Sequence, residues 1–335
     1  MSAQKGIDTS FTRLLGIRHP IMSAPMGRAS PPELAAAVTN AGGLGGLGFS
    51  WDSPERIKGL VAAVRQLTDD GPFVANFVLQ WDQHERMEAA LSAGARLVSF
   101  FWGDIAPYVT RAKAAGARVM HMVATPEEAR RSIDLGADVL IAQGSEAGGH
   151  VWGRLSTMVL VPLVVDAAGD VPVLASGGIA DGRGLAAALM LGASGACLGT
   201  RFLASAEAAY HDDYKRCLVE AVATDTIETT LFDGGWPNSL HRVLRNRTVE
   251  RWEAAGCPNP GARPGEGDQI GLSPDGKPIL RYSIASLLQG AQGSIDDFVI
   301  YAGQSVGLIK DVLPAAAIVE RIVDEAGQMM ARFSK

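Results

Sequence analysis

The stretch Asp138-Val-Leu-Ile-Ala-Gln-Gly-Ser-Glu-Ala-Gly-Gly-His150 joins an apolar run to a glycine-rich loop that ends in a histidine. The run Val139–Ala142 reads as a short buried strand. The glycines let a large group approach the backbone, and a proton carrier at His150 would stand beside it. Two more apolar runs end in the same way, in Ser176-Gly177-Gly178 and in Gly199-Thr200. Three loops of backbone donors at successive strand ends indicate a phosphate-bearing cofactor with one titratable side chain over it.

Short apolar runs alternate with amphipathic segments from about residue 17 to 205. The predicted strands are Ile21–Ala24, Gly43–Leu47, Phe73–Val78, Leu97–Phe100, Arg118–His121, Val139–Ala142, Val173–Ala175 and Gly195–Leu198. The predicted helices between them are Pro32–Ala41, Ser53–Leu67, Gln83–Ala93, Ile105–Ala115, Pro126–Leu135, Thr157–Ala168 and Gly182–Leu191. Such alternation indicates a parallel sheet, either a closed (β/α)₈ TIM barrel or an open doubly wound sheet. Eight strands with glycine loops at many strand ends favour the barrel, whose sites are assembled from several βα loops on one face.

The alternation stops after Ser205, and residues 224–282 are irregular and rich in turn formers. We therefore expect a smaller irregular unit on the substrate side of the barrel at residues 209–280. Residues 1–208 and 281–335 would then form the barrel domain. Helices are predicted again at Ile284–Gly290, around Tyr301–Ile309 and at Pro314–Phe333.

The bulk properties are those of a globular protein with a sizeable core. The chain has 335 residues, of which 47% are hydrophobic, and its formal net charge is −6. It has no basic block, which argues against nucleic acid or an anionic membrane as a partner. No apolar stretch approaches the roughly 20 residues that span a bilayer, and no secretory signal is visible. The three cysteines have no metal-type spacing, so we expect reduced thiols in a cytoplasmic protein and no bound metal. The oligomeric state cannot be read from the sequence.

Gly43-Leu-Gly-Gly-Leu-Gly48 matches the dinucleotide-binding pattern GxGxxG, with Asp69 and Asp70 about 20 residues further on. That motif requires a strand before the first glycine and a helix after the last. Here Pro32–Ala41 reads as a helix before the glycines, so we favour a small-residue barrel strand over a Rossmann site.

The segment Ser176-Gly-Gly-Ile-Ala-Asp-Gly-Arg-Gly184 is more specific, because glycine amides there lead directly into a helix. With Gly199-Thr200 one βα unit later, it matches the usual phosphate site of a barrel, after the seventh and eighth strands. Asp181 is predicted to cap the helix rather than to bind a ligand. Among the histidines, His150 is the favoured functional candidate, and His121 is a second that also ends a strand.

Four segments resemble the nitronate monooxygenases, formerly called 2-nitropropane dioxygenases. They are Ala24-Pro-Met-Gly27 after the first strand, Ala142–His150, Ser176–Gly184 and Tyr301-Ala-Gly-Gln304. The resemblance covers most of the chain and is weakest over residues 209–280. It implies a TIM barrel with non-covalently bound FMN.

The resemblance also implies roles for particular residues. His150 would be the base or proton carrier beside the reactive face of the flavin. Some relatives have a lysine just after the position of His121, where this chain has Met122. The residues implied to contact FMN are Ala24, Pro25 and Met26 along the ring, Asn76 at its polar edge, Ala147, Gly148 and Gly149 along the flavin, and Ser176, Gly177, Gly178, Gly199 and Thr200 around the phosphate.

The implied reaction is the oxidation of alkyl nitronates, and of the nitroalkanes that yield them, by O₂ to a carbonyl compound and nitrite. A neutral histidine is a suitable base for the acidic C–H of a nitroalkane near pH 7. Two alternatives share the barrel and the histidine loop, namely NADH:quinone reductases and flavin-dependent enoyl-acyl carrier protein reductases, and both need NAD(P)H. A third alternative is a flavin-free barrel that binds a phosphorylated metabolite. Trp236 and Tyr301–Gln304 are candidates for the wall of the substrate pocket.

Overall fold

A computed structural model describes residues 6–333, and eight parallel strands form its central sheet. The barrel strands are β1 (Ile21–Ser23), β2 (Gly45–Gly48), β3 (Phe73–Val78), β4 (Leu97–Phe101), β5 (Arg118–Val123), β6 (Val139–Gln143), β8 (Val173–Ser176) and β9 (Gly195–Leu198). Each strand pairs with the next, β9 pairs with β1, and a parallel bridge from Met22 to Leu44 joins β1 to the start of β2. The predicted (β/α)₈ barrel is confirmed, with strand ends within a few residues of those expected.

Helices surround the barrel on its outer side. The ring consists of α2 (Pro32–Asn40), α3 (Pro54–Thr68), α4 (His84–Ser92), α5 (Ala106–Ala114), α6 (Pro126–Asp134), α7 (Thr157–Ala168), α8 (Gly182–Met190) and α12 (Ala315–Phe333). The last of these packs against both α8 and α2 and so takes the eighth place in the ring. The chain therefore leaves the barrel after β9 and returns to complete it only at its final helix.

Side chains alternate between the two faces of each strand, as the pleat of a strand requires. On β3, Phe73 and Phe77 pack against the helices, whereas Val74 points into the barrel. The interior residues form one buried layer: Met22, Leu44, Val74, Leu97, Met120, Val139, Ile141, Leu174 and Cys197. The barrel is therefore filled at its lower end, so that open space remains only at the carboxyl ends of the strands.

An N-terminal helix that the sequence analysis did not predict, α1 (Ser10–Leu15), closes the lower end. Thr9 and Thr12 form a reciprocal capping box at its start, and Gly16 ends it in the left-handed conformation, with φ 68°. Phe11 is fully buried among the interior residues of the barrel. This single side chain thus closes the layer from below.

The glycines of Gly43–Gly48 are explained by packing. A Cβ at Gly45 would lie 2.1 Å from the carbonyl oxygen of Ala35 in α2, and one at Gly46 would lie 2.5 Å from that of Ser23 in β1. The strand β2 can approach its neighbours this closely only without side chains at these positions. The structure therefore agrees with the small-residue barrel strand that we favoured over a dinucleotide site.

Between β9 and α12 the chain forms an excursion over the carboxyl ends of the barrel strands. Its ordered parts are α9 (Thr200–Leu203), α10 (Asp212–Glu220), β10 (Thr226–Thr229), β11 (His241–Leu244), α11 (Arg247–Ala254), β12 (Gln269–Leu272), β13 (Pro278–Leu280) and β14 (Gln292–Gly293). The strands β10 and β11 form a ribbon, and β11 also pairs with β7 (Gly149–His150). The excursion is thus joined to the histidine loop through the main chain.

Two details of the excursion differ from expectation or are left open. The predicted helix at Ile284–Gly290 is wrong, because that segment is an irregular loop whose Leu287 is buried in an apolar cluster with Tyr210 and Phe298.

The division into a barrel domain of residues 1–208 plus 281–335 and a smaller unit of residues 209–280 stays a prediction. Within residues 6–333, no helix is both long and apolar enough to cross a membrane.

The substitution Phe11→Ala should lower the free energy of unfolding by about 3–5 kcal/mol, since it leaves a cavity under the barrel. Urea denaturation followed by circular dichroism measures this loss. Leu67→Ala is the control, because that side chain in α3 is 46% exposed and its loss should change stability by less than about 0.5 kcal/mol. Equal losses for the two variants would contradict the closing role of Phe11.

Candidate active site

A cavity of about 460 Å³ opens at the carboxyl ends of the barrel strands, under the excursion. All residues implied to contact the flavin, and His150, line it: Ala24, Pro25, Met26, Asn76, Ala147, Gly148, Gly149, His150, Ser176, Gly177, Gly178, Gly199 and Thr200. Of the candidates for the pocket wall, Trp236 and Tyr301 line it, whereas residues 302–304 do not. Residues separated by up to about 175 positions in the chain are thus brought to one place. Of the described residues that line this cavity, Arg28 at the rim is the one with a permanent charge.

His150 ends β7, where its main chain pairs with His241 of β11. Its imidazole stacks on the indole of Trp236, with ring centroids 4.0 Å apart and planes 23° apart. Its Nε2 atom is buried without a hydrogen-bond partner among the described residues. Burial, followed by the nearby ring of His241, lowers the pKa of His150 to about 3. The imidazole is therefore neutral at physiological pH and has a free lone pair or N–H.

Three residues that precede His150, namely Gln143, Gly144 and Glu146, have contacts that shape the histidine loop. The Gln143 amide donates to the carbonyl of His150 at 3.1 Å and accepts from the amide of Trp152 at 3.1 Å, so it holds both ends of the turn. The Glu146 carboxylate accepts from the amide of Thr157, where α7 begins. A Cβ at Gly144 would lie 2.1 Å from the Thr157 hydroxyl oxygen. The motif is thus built as a support for His150.

The segment Tyr301–Gln304 packs directly on this loop. The amide of Gln304 donates to the carbonyl of Glu146 at 3.0 Å, and a Cβ at Gly148 would lie 2.3 Å from the nitrogen of Gly303. The amide of Gly303 in turn donates to the Thr200 hydroxyl at 3.0 Å. The aromatic-Ala-Gly-Gln segment therefore joins the histidine loop to the loop after β9.

Backbone groups are accessible around the loops after β8 and β9. Gly177 and Gly178 have φ of 103° and 71°, a conformation that favours glycine. At Gly149, with φ 74°, a Cβ would meet no protein atom within 4 Å, so that face of the backbone is open to the cavity. The Asp181 carboxylate accepts from the amide of Gly184 at 3.1 Å, which agrees with its predicted capping role.

Asn76 and Cys197 lie deeper in the cavity. The Asn76 amide donates to the hydroxyl of Ser99 at 2.9 Å, which sets the orientation of its carbonyl oxygen. Burial raises the pKa of the Cys197 thiol to about 12, so this cysteine is protonated and unreactive.

His121, the second histidine candidate, and His241, which was not a candidate, are placed differently from His150. His121 lies at a separate, smaller cavity, where its Nδ1 bonds the Ser132 hydroxyl at 2.7 Å. His241 lies near His150, but its Nδ1 donates to the carbonyl of Ser239 and its Nε2 accepts from the amide of Phe232. Both nitrogens of His241 are therefore occupied within its own loop, and it serves as a structural residue there.

The sequence analysis missed several residues of the cavity wall, among them Phe101, Gln143 and Tyr210. For Gln143, the alternation of side chains along the strand provides a signal that could have found it. Interior positions such as Val74, Ile141 and Leu174 are followed two residues later by the cavity residues Asn76, Gln143 and Ser176. Residues of the excursion, such as Tyr210, carry no such signal.

Comparison with known proteins gives the family. The sequence description of the nitronate monooxygenase family matches residues 8–325, nearly the whole chain. The chain belongs to the nitronate monooxygenase family. It is accordingly an oxidoreductase of that family.

The proteins that are similar to this chain are named for different activities. The nitronate monooxygenase of Pseudomonas aeruginosa is 34% identical over 366 residues, which cover 94% of this chain and 98% of that protein. A Mycobacterium tuberculosis protein named (3aS,4S,5R,7aS)-5-hydroxy-7a-methyl-1-oxo-octahydro-1H-indene-4-carboxyl-CoA dehydrogenase is 38% identical over 249 residues, or 73% of this chain and 68% of that protein. The solved structure of FabK from Thermotoga maritima is similar with a TM-score of 0.84, at 33% identity and 98% coverage of both chains.

The substitution Gly148→Ala should destabilise the protein by roughly 1–3 kcal/mol, because its Cβ would collide with the main chain at Ala302 and Gly303. Thermal unfolding measures the effect. Gly327→Ala is the matched control, since this glycine lies inside α12 with open space around it and alanine should stabilise the helix by up to about 1 kcal/mol. Equal behaviour of the two variants would contradict the proposed contact.

Stability should fall as the pH drops from about 6.5 to 4. Burial lowers the pKa of both His121 and His241 to about 4, so between these values the unfolded chain binds more protons than the folded one. Each buried histidine contributes up to about 1.4 kcal/mol per pH unit to this slope. Urea unfolding at several pH values measures it, and His121→Gln should reduce the slope. An unchanged slope in that variant would show that His121 accepts its proton in the folded state.

Proposed function

We propose that this chain is an FMN-dependent nitronate monooxygenase that oxidises alkyl nitronates, and nitroalkanes after their deprotonation, with O₂ to a carbonyl compound and nitrite. The observation that carries the proposal is that a neutral His150, whose Nε2 has no hydrogen-bond partner among the described residues, lines a cavity bordered by glycine-rich loops at the strand ends. Family membership supports the reaction class, and the position of His150 beside the glycine loops supports its assignment as the base.

The residues of the cavity fit FMN. The amides after β8 and β9 can surround a phosphate dianion without a cationic side chain, as is usual for barrel phosphate sites. Ser176, Gly177, Gly178, Gly199 and Thr200 would hold that group. The flat apolar wall of Ala24–Met26 and the open backbone of Ala147–Gly149 would face the ring system, with Asn76 at its polar edge. Bound there, FMN would supply the redox chemistry and the reaction with O₂.

The protein's own contribution is to move a proton and to exclude water. In a nitroalkane, the Nε2 lone pair of His150 would take the proton from the carbon that carries the nitro group. The electron pair of that C–H bond then becomes the C=N bond of the nitronate, whose charge rests on the two nitro oxygens. Gln143 would fix the main chain of His150, and the Trp236 indole would fix the plane of its ring. A nitronate offered as substrate needs no such proton transfer.

The lining of the cavity favours a small substrate of low charge. Phe101, Met122, Trp236 and Tyr301 provide apolar surface, and Arg28 at the rim is the lining residue that could meet an anionic group. A nitronate has a single delocalised negative charge. Burying one such charge in this cavity costs less free energy than burying the several charges of a substrate with more than one phosphate.

A second candidate is an NAD(P)H-dependent flavin reductase of the same fold, which the structural similarity to FabK favours. In that case NAD(P)H would reduce the flavin, and a quinone or an enoyl thioester would reoxidise it. Anaerobic addition of propyl nitronate and of NADH to separate samples distinguishes the two, with flavin absorbance as the readout. Bleaching by nitronate alone supports the monooxygenase, bleaching by NADH supports the reductase, and a protein that takes up no FMN contradicts both.

The substitution His150→Asn should keep the yellow flavin but lower kcat/KM for a neutral nitroalkane roughly 10²–10⁴-fold, the usual value of a general base. On preformed nitronate the loss should be much smaller, because the proton has already left. Nitrite release measures both activities.

His84→Asn serves as control, because this histidine is exposed on α4 and should leave both activities unchanged. If His150→Asn oxidised neutral nitroalkane at the wild-type rate, the base would have to lie elsewhere.

A further inference from the structure

Trp236 occupies a tight turn of the excursion and is almost fully buried, with 1% of its surface exposed. The amide of Trp236 donates to the carbonyl of Asp233 at 2.9 Å, and the Ser239 hydroxyl donates to the carbonyl of Trp236 at 2.8 Å. Asp233 is itself paired with the buried Arg263 at 2.8 Å. The turn is therefore anchored on both sides of the indole, and its backbone leaves the ring little freedom to move.

Aromatic side chains from three barrel loops surround the same indole. Trp102 lies 5.0 Å and Trp81 5.2 Å from it, both nearly edge-on, and Trp51 lies 6.4 Å away between ring centroids. With Trp152, which contacts Trp102 at 4.6 Å, five of the chain's six tryptophans form this cluster. Edge-on aromatic contacts are favourable and directional, so the loops after β2, β3 and β4 hold Trp236 in one orientation.

The remaining face of the indole is turned to the reaction site. Trp236 stacks on His150 at 4.0 Å, and it also lines the cavity together with Phe101 and Trp51. One side chain therefore covers the base and at the same time bounds the space beside it. Tyr301 also lines the cavity and lies near the imidazole, but its ring is 5.6 Å away and tilted by 43°, so it does not stack on His150 as Trp236 does.

We infer that Trp236 is the positioning residue of His150 and the wall that sets the size of the substrate group that can reach it. The inference rests on the proposed function for the identity of the substrate, and it adds the limit on that substrate: a short alkyl or otherwise compact group on the nitronate carbon. The excursion, rather than the barrel, then determines the specificity of the enzyme.

The titratable groups that face His150 are His241 on β11 and Tyr301 at the end of the excursion. Burial keeps both neutral, since it lowers the pKa of His241 and raises that of Tyr301. The next charge on the ribbon, Arg242, is held by Glu228 at 3.2 Å and by the carbonyl of Ser145. These neighbours of His150 are thus neutral or paired, and the loss of the Trp236 indole should open the stacked face of the imidazole to water.

The test compares Trp236→Ala and Trp236→Phe with Trp252→Ala in the flavin-loaded enzyme. Trp252 lies in α11 outside the cluster and donates to the carbonyl of Pro258, so it controls for the loss of an indole alone. Acetate, propionate and benzoate, which share the planar monoanionic head of a nitronate, are titrated by their effect on flavin absorbance. The same variants are assayed with ethyl, 2-propyl and phenylmethyl nitronates.

In Trp236→Ala, the affinity for benzoate relative to acetate should rise by at least about 10-fold, as expected when a pocket gains room for several carbons. The kcat/KM for phenylmethyl nitronate relative to ethyl nitronate should rise by a similar factor. Trp236→Phe should lie between it and the wild type, and Trp252→Ala should match the wild type. Unchanged size preference in a folded, flavin-loaded Trp236→Ala enzyme would overturn the inference.

An NMR titration of the His150 Cε1–H resonance, assigned by its absence in His150→Asn, needs no turnover. In Trp236→Ala the imidazole should titrate at higher pH than in the wild type, toward the ordinary histidine value of about 6.5. An identical titration in both proteins would overturn the positioning role. If the wild type oxidises no nitronate, the proposed function fails, whereas carboxylate binding and this titration still decide the role of Trp236.

Discussion

The main chains at Gly148 and Gly303 approach so closely that neither residue has room for a side chain. This contact joins the histidine loop, which leaves the barrel after β6, to the segment that ends the excursion. The strand β7 continues directly from the loop and pairs with β11, so the same contact fixes the height of His150 above the barrel. A reactive side chain whose support comes from two distant segments can be positioned only when both are folded. Precise geometry at this point therefore depends on the tertiary structure as a whole.

Electrostatically, the site relies on dipoles and neutral groups. Burial keeps His150, His241 and Tyr301 uncharged, and the predicted phosphate site is formed by amides and hydroxyls rather than by lysines. Met122, an uncharged side chain, lines the same cavity. Fixed dipoles in a water-poor cavity act strongly on developing charge without the desolvation cost of buried ions. Negative charge that develops on a substrate here would be stabilised mainly by oriented peptide dipoles.

The sequence predicted the barrel well because local rules govern it. Apolar runs of strand length, helix caps such as Thr125 and glycine stops each depend on a few neighbouring residues. The loops of the cavity were recognisable for a related reason, since their glycines cluster directly after apolar runs of strand length. Residues of the excursion could not be placed in this way. Trp236 reaches His150 only through tertiary packing, and the segment around Leu287 is irregular because cluster burial outweighs its helical tendency.

The late return of the chain to the barrel has a consequence for its synthesis. The helix α12 fills the gap between α8 and α2, yet it comprises Ala315–Phe333 and follows the whole excursion in the chain. A ribosome releases the barrel strands and the whole excursion before this helix emerges. Until then the apolar flanks of α2 and α8 face water, in a state that invites association with other nascent chains or with chaperones. The buried residues that close this seam lie in the first part of the helix, from Ala315 to Ala326, so this part must fold before the barrel wall is complete.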